Sequence, residues 1–144
     1  MIRTTHFRYP SARDGCSIHA QEWAPEGPPR GIVQLVHGIS EHIGRYDETA
    51  RFLAEHGLLV CGGDHLGHGQ TAADGSYVFF APENGWSLAA RDVRSLRELE
   101  GARHPDLPYF LLGHSMGSFL TRTYLILWPG TVSGAVLMGT GQEP

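Results

Sequence analysis

Four short, almost wholly apolar runs set the terms for this chain: GIVQLV at 31–36, LLVCG at 58–62, YFLL at 109–112 and VSGAVLM at 132–138. A strand covered on one face alternates apolar and polar residues. A strand covered on both faces has no polar side to show and reads as an unbroken apolar run. Between these runs lie segments with apolar residues at helical spacing. Within 45–56 they are Tyr46, Ala50 and Leu53, with Gly57 as the stop. Within 86–103 they are Trp86, Ala89 or Ala90, Val93 and Leu96, and Arg91, Arg94 and Glu98 occupy the opposite face. A third helix is expected over 116–127, closed by Pro129 and Gly130. Strand and helix in regular alternation predict an α/β fold, a mostly parallel sheet with helices on both faces. Ahead of it, strands near 6–9 and 17–23 turn at Arg13, Asp14 and Gly15, and 24–30 (APEGPPR) reads as a rigid loop. Residues 63–71 are polar and Gly-rich, and 72–85 have no clear period and are expected to be loop.

The chain has 144 residues, room for one ordinary domain around one core. With 41% hydrophobic and 18% charged residues it reads as soluble and globular. No apolar run approaches the ~18 residues of a membrane span. The opening MIRTTHFRYPSARDGC carries Arg and Pro where a secretory signal needs a long apolar stretch, so the expected location is cytoplasmic. A net charge of −4 gives no footprint for nucleic acid. All 11 basic residues are Arg, which leaves no lysine for Schiff-base chemistry or a P-loop. Cys16 and Cys61 form neither a zinc-type pair nor a disulfide framework, and Cys61 is expected to be a small buried hydrophobe.

Chemistry concentrates in three stretches. Gly113-His114-Ser115-Met116-Gly117 matches G-x-S-x-G and falls between the YFLL strand and a helix, the context a nucleophile elbow requires. A strand turning sharply into a helix strains its corner residue and crowds the positions two before and two after, where Gly113 and Gly117 give clearance. Ser115 Oγ would then stand over the sheet edge at a helix start, where the dipole favours developing negative charge. A plain helix N-cap serine is the simpler reading. His114 neighbours Ser115 but points away on an elbow, which makes it a structural or hydrogen-bonded residue.

After the first apolar run comes His37-Gly38-Ile39-Ser40-Glu41-His42, where a glycine lets the backbone turn an amide toward a ligand. The backbone N–H groups of Ile39 and Met116 are the candidate oxyanion donors. A glycine turn with two surface histidines is the plainer alternative. Asp64, His65 and His68 have a spacing that suggests a metal site, but the chain offers no further ligand cluster. They are expected to order loops beneath the site by hydrogen bonding, with no metal.

Taken together, HGISEHIGRY, DHLGHGQT and FLLGHSMGS resemble the α/β-hydrolases of the monoacylglycerol lipase and lysophospholipase type, also called the serine aminopeptidase S33 group. The corresponding family patterns are HGxxEHxxRY, DHxGHGxS and FLxGHSMGG, and the similarity runs from about Gly31 to Met138. The resemblance implies the α/β-hydrolase fold, Ser115 as nucleophile, Ile39 and Met116 as oxyanion donors, and Arg45 and Tyr46 holding the loop. It implies no cofactor, a small acyl ester as substrate, and lipid contact through a lid. Thr71 stands where the family has Ser, and Ser118 where it has a second Gly and would narrow the packing of the helix on the sheet.

The family takes its acid and base, in that order, from beyond the elbow. After Ser115 this chain holds no Asp and no His, and its only acid is Glu143. Residues 1–144 are therefore expected to be the N-terminal portion of one α/β-hydrolase domain, truncated after the strand that follows the nucleophile helix, without lid or last strands. A C-terminal segment or a second chain would supply Asp and His and cover the edge of the strand at 132–138, and these residues alone would be inactive and unstable as a monomer. The reading from a different class is a non-catalytic module of the same fold that binds a small apolar ligand or a partner protein.

Overall fold

A computed structural model describes residues 1–72 and 74–142; Ala73, in the loop expected over 72–85, and Glu143 lie outside the described residues. Six strands and three helices follow the predicted order. They are β1 (Arg3–Pro10), β2 (Ser17–Ala24), β3 (Gly31–Val36), α1 (Asp47–Glu55), β4 (Leu58–Gly63), α2 (Gly85–Arg103), β5 (Tyr109–His114), α3 (Met116–Leu127) and β6 (Gly134–Met138). Single 3-10 turns at Ile43–Tyr46 and Gly69–Ala72 are additions to that order. No helix among the described residues is long and apolar enough to cross a membrane.

The strands form one sheet in the order β1-β2-β4-β3-β5-β6. β1 and β2 pair antiparallel from Arg3↔Ala24 to Pro10↔Ser17, β2 joins β4 antiparallel, and the remaining pairings are parallel. β3 shows why its run has no polar break. Ile32 and Val36 join the core with residues of α2 and α3, Val33 and Leu35 join the other with residues of α1, and all six β3 residues are buried. Gln34 is the polar member, and its amide donates to Val93 O on α2 (3.1 Å). Cys61 is buried as expected.

β6 is the uncovered edge expected from the sequence. Val132–Met138 reads as a strand built to be covered on both faces, and β6 borders the sheet beyond β5 with Ala135 through Met138 exposed. Its neighbour β5 is transitional: Tyr109 and Leu111 are buried in the α2/α3 core, while Phe110 and Leu112 are only partly covered on the α1 face. An apolar run records that a strand is built to be covered, not what covers it.

Sequence order and spatial order differ in one consequential way. From β3 the chain moves to β4 on one side, then crosses back through α2 to β5 on the other. Helix α1 packs on one face of the sheet, and α2 and α3 pack on the other. The loops leaving the carboxyl ends of the adjacent strands β3 and β5 therefore part to opposite faces, and a crevice opens between them. Such a switch point is where open α/β sheets bind ligands.

On the α2 side one buried group sets a pH dependence. Glu100 is fully buried, and neither carboxyl oxygen has a hydrogen-bond partner among the described residues. Burial, and then the Glu22 carboxyl beside it, hold Glu100 well above the usual carboxylate range. A raised acid binds its proton more tightly folded than unfolded. The stability it supports is present below the ordinary carboxyl pKa and is lost as pH rises through the raised one. Glu100→Gln should therefore raise the melting temperature of the intact protein at pH 9 and change it little at pH 5; equal shifts at both would contradict the assignment.

Candidate active site

The crevice is narrow because two backbones touch. A Cβ on Gly117 would lie 1.9 Å from Val36 O and 2.6 Å from His37 O, and one on Gly113 would lie 2.4 Å from Gly117 O and from Thr121 Oγ1. The first turn of α3 rests directly on the end of β3, and both outer glycines of G-x-S-x-G are there for close approach. Between them Ser115 sits at φ 54°, ψ −120°, in a backbone region that costs a non-glycine residue of the order of 1–3 kcal/mol. Surrounding bonds hold it there. Ser115 N–H donates to Met138 O on β6 (2.9 Å), and Ser115 O accepts from Ser118 N (2.9 Å) and Ser118 Oγ (2.6 Å). Ser118 is buried, so the serine in place of the second glycine fits by turning its hydroxyl back onto the elbow. Ser115 Oγ makes no hydrogen bond to any described residue, and an N-cap bond to α3 is absent.

The His37–His42 loop closes over the same point. A Cβ on Gly38 would lie 3.1 Å from Ser115 Cβ and 3.1 Å from His114 O, so the glycine lets the turn lie against the elbow. Ser40 also has positive φ, at 60°, and Ile39 is exposed. Met116 opens α3, where its amide has no intrahelical acceptor, and Ile39 N–H has no partner among the described residues. The Met116 amide thus directly follows the serine at a helix start, and the Ile39 amide follows the Gly38 turn packed against it; hydrogen-bond donors and the helix dipole at such a place favour an anionic oxygen.

Glu41 is the hub of this loop. Its Oε1 accepts from Gly38 N (2.5 Å), Tyr46 Oη (2.6 Å) and His114 Nδ1 (3.3 Å). Burial pushes the Glu41 carboxyl up, and these donors outweigh it, leaving the carboxyl below its ordinary value. Tyr46 therefore holds the loop. Arg45 adds an exposed ion pair to the same carboxyl, its guanidinium 3.8 Å from Glu41 Oε2 and beyond hydrogen-bond distance. His42 is exposed and its ring makes no hydrogen bond among the described residues.

Beneath the loop lie three buried histidines. His37 Nδ1–H donates to Gly38 O (2.8 Å) and its Nε2 accepts from His65 N–H (3.1 Å), which fixes a neutral ring. His65 Nε2–H donates to His37 O (2.9 Å), and His68 Nδ1–H to Leu66 O (2.9 Å). Burial, and then His65, hold His37 well below its ordinary pKa; burial takes His65 down to about 4. Asp64 accepts from Ile43 N (2.8 Å) on one oxygen and from His19 Nδ1 and Gln70 N (2.8 and 2.9 Å) on the other. Thr71 keeps the hydroxyl of the family's serine, donating to Asp64 O (2.8 Å) and accepting from His19 N (3.0 Å). Asp64, His65 and His68 are thus taken up by separate bonds rather than converging on one point. The partnership of His19 with Asp64, extended by His6 Nδ1 at 2.9 Å from His19 Nε2, carries no sequence signal, since it joins three strands through space.

This architecture agrees with three comparisons. The family model for serine aminopeptidase, S33, matches residues 27–144. The chain belongs to that family. Monoacylglycerol lipase of Mycolicibacterium smegmatis is 38% identical over 125 residues, 87% of this chain and 43% of that protein. Human monoglyceride lipase is 37% identical over 87% of this chain and 40% of its own length. A highly thermostable carboxyl esterase from Bacillus coagulans, solved in complex with glycerol, superposes with a TM-score of 0.90 at 36% identity over 98% of this chain and 46% of that one. The fold is the α/β-hydrolase fold, its N-terminal portion, and the family is one of hydrolases. The chain spans less than half the length of these two lipases.

Two outcomes follow from the packing and the histidines. Gly117→Ala forces a methyl group onto Val36 O and should cost about 3 kcal/mol or more, or prevent folding, read as a shifted denaturant midpoint. Histidines held below their ordinary pKa bind protons better unfolded. Stability is complete above about pH 6.5 and falls as pH drops toward 4, by up to about 1.4 kcal/mol per pH unit for each group. His65→Gln should flatten that slope in denaturant titrations at pH 7.5, 6 and 5, whatever its effect on absolute stability.

Proposed function

We propose that this chain carries the nucleophile and oxyanion half of a serine ester hydrolase. The observation that carries the reading is Ser115, held at φ 54°, ψ −120° between β5 and α3, with the Gly38 turn packed against it. Strain at a half-buried serine whose hydroxyl makes no hydrogen bond to the described residues is what acyl transfer uses and what an N-cap serine does not need.

In the proposed reaction Ser115 Oγ adds to the ester carbonyl as a base takes its proton. The carbonyl electron pair moves to oxygen, where the Ile39 and Met116 N–H groups receive it. Collapse of the tetrahedral intermediate breaks the ester C–O bond, and the protonated base gives its proton to the departing alkoxide. Water then repeats the sequence on the acyl-enzyme, releasing the carboxylic acid and restoring Ser115. None of the described histidines hydrogen-bonds Ser115 Oγ, and His37 and His65 beneath it are bonded to backbone and held below their ordinary pKa by burial. We assign the base and the acid that orients it to polypeptide outside these 144 residues, in the same protein or a second chain, which would also cover β6.

For substrate we propose monoacylglycerol-like or lysophospholipid-like carboxylic esters. The support is the names of the relatives, two of them lipases of monoacylglycerols, together with membership of the family. The whole protein containing this chain should react with a fluorophosphonate probe at one site, hydrolyse a monoacylglycerol faster than the matching fatty amide, and lose both reactions in Ser115→Ala. Labelling that survives Ser115→Ala rejects Ser115 as nucleophile. No labelling of the whole protein favours a binding module of the same fold.

A further inference from the structure

We propose that Glu41 is a positioning residue for the oxyanion site: it clamps the β3 loop to the elbow and so fixes the separation of the two donor amides. The proposal rests on the reading of Ser115 above and deepens it. Ile39 N–H belongs to the loop after β3 and Met116 N–H to the turn after β5, two segments that leave the sheet toward opposite faces. Backbone packing at Gly38 and Gly117 brings the segments together but does not fix how the loop is rotated over the elbow. Rotation is what a pair of hydrogen-bond donors cannot tolerate, because both must point at one oxygen.

One carboxyl oxygen supplies the missing constraint. Glu41 Oε1 holds the Gly38 amide, the residue before Ile39, at 2.5 Å, and His114 Nδ1, the residue before Ser115, at 3.3 Å. Two points of attachment, one on each segment, tie the loop to the elbow across 73 residues of sequence. Tyr46 Oη at 2.6 Å steadies the carboxylate from the turn before α1. Glu41 itself touches no reacting atom on this account. Its bonded partners are the Gly38 amide, the Tyr46 hydroxyl and the His114 ring, and it makes no hydrogen bond to Ser115 among the described residues. His114 has a corresponding part. It is the link by which the elbow is held, not a base for its neighbour.

The test uses the whole protein with Glu41→Ala and Glu41→Gln. The Gln oxygen still accepts from the Gly38 amide and the Tyr46 hydroxyl; Ala accepts from neither. Rates on a p-nitrophenyl ester, per site titrated with fluorophosphonate, should show kcat for Glu41→Ala down about 100-fold with KM changed less than about threefold, since donor alignment matters in the transition state. Glu41→Gln should keep kcat within about tenfold. Affinity for an alkyl trifluoromethyl ketone, whose serine adduct bears the same oxyanion, should fall in parallel with kcat, and amide exchange at Gly38 should quicken in Glu41→Ala alone. An unchanged kcat per titrated site, a loss confined to KM, or equal losses in both variants would overturn the proposal. If the wild-type protein proves inert, the reading of Ser115 fails separately, and exchange at Gly38 still decides the clamp: faster in Glu41→Ala upholds it, unchanged rejects it.

Discussion

The contact on which the site depends is the seating of α3 on the end of β3, where Gly117 leaves no room for a methyl group beneath Val36 O. A helix that close must begin immediately after its strand, and the chain has one residue, Ser115, in which to turn. The strained backbone of Ser115 is therefore a consequence of packing and not a local preference. Its cost is spread over the sheet: Met138 O on β6 takes the Ser115 amide, and buried Ser118 holds the Ser115 carbonyl. The edge strand that lacks cover is thus also a strut of the elbow, and covering β6 and holding Ser115 in its strained turn are linked tasks.

Polar groups beneath the site follow a rule of charge economy. Three buried histidines meet at ring separations of 4.0, 5.3 and 6.2 Å, and any proton added there would be repelled by the other rings and unsolvated. The ends of β3 and β4 are joined by two of them: the His65 ring N–H donates to His37 O, and the His65 amide donates to His37 Nε2. Formal charge is left to two carboxylates, and each is met by backbone amides: Asp64 by Ile43 and Gln70, Glu41 by Gly38. A carboxylate satisfied by N–H groups is a rigid fixture, because rotating it breaks several bonds at once.

How much of this the sequence discloses follows from the range of each interaction. The four apolar runs, the helix stops at Gly57 and Pro129, and the elbow itself are local patterns, and the structure has them within a few residues of where periodicity puts them. The glycines at 113 and 117 are legible because their reason, the crowding of a sharp turn, is steric and near at hand. The need of β6 for cover is legible in its apolar run, and the source of that cover is not, since apolar side chains state the need and are silent on what meets it. Nor is the bond between Glu41 and His114, or that between His19 and Asp64, because each joins segments that only the topology brings together. Arg45, four residues from Glu41, is a contact the motif spacing does make legible: its exposed guanidinium forms a long ion pair with the Glu41 carboxylate at 3.8 Å.

On the proposed reading, the same topology constrains where the missing base must enter. The side of Ser115 facing β3 is occupied by the Gly38 turn, and the floor is filled by His37, both of whose ring nitrogens are bonded to backbone, with His65 and His68 beside it. The elbow's amide is bound to β6, so the strand ladder continues past Ser115 on that side without closing it from above. An imidazole able to take the Oγ proton must therefore reach over the crevice mouth from structure built outward from β6. A sheet that extends past β6 serves both needs, since each strand added to that edge buries Val136 and Met138 and brings a new loop to the carboxyl end of the sheet.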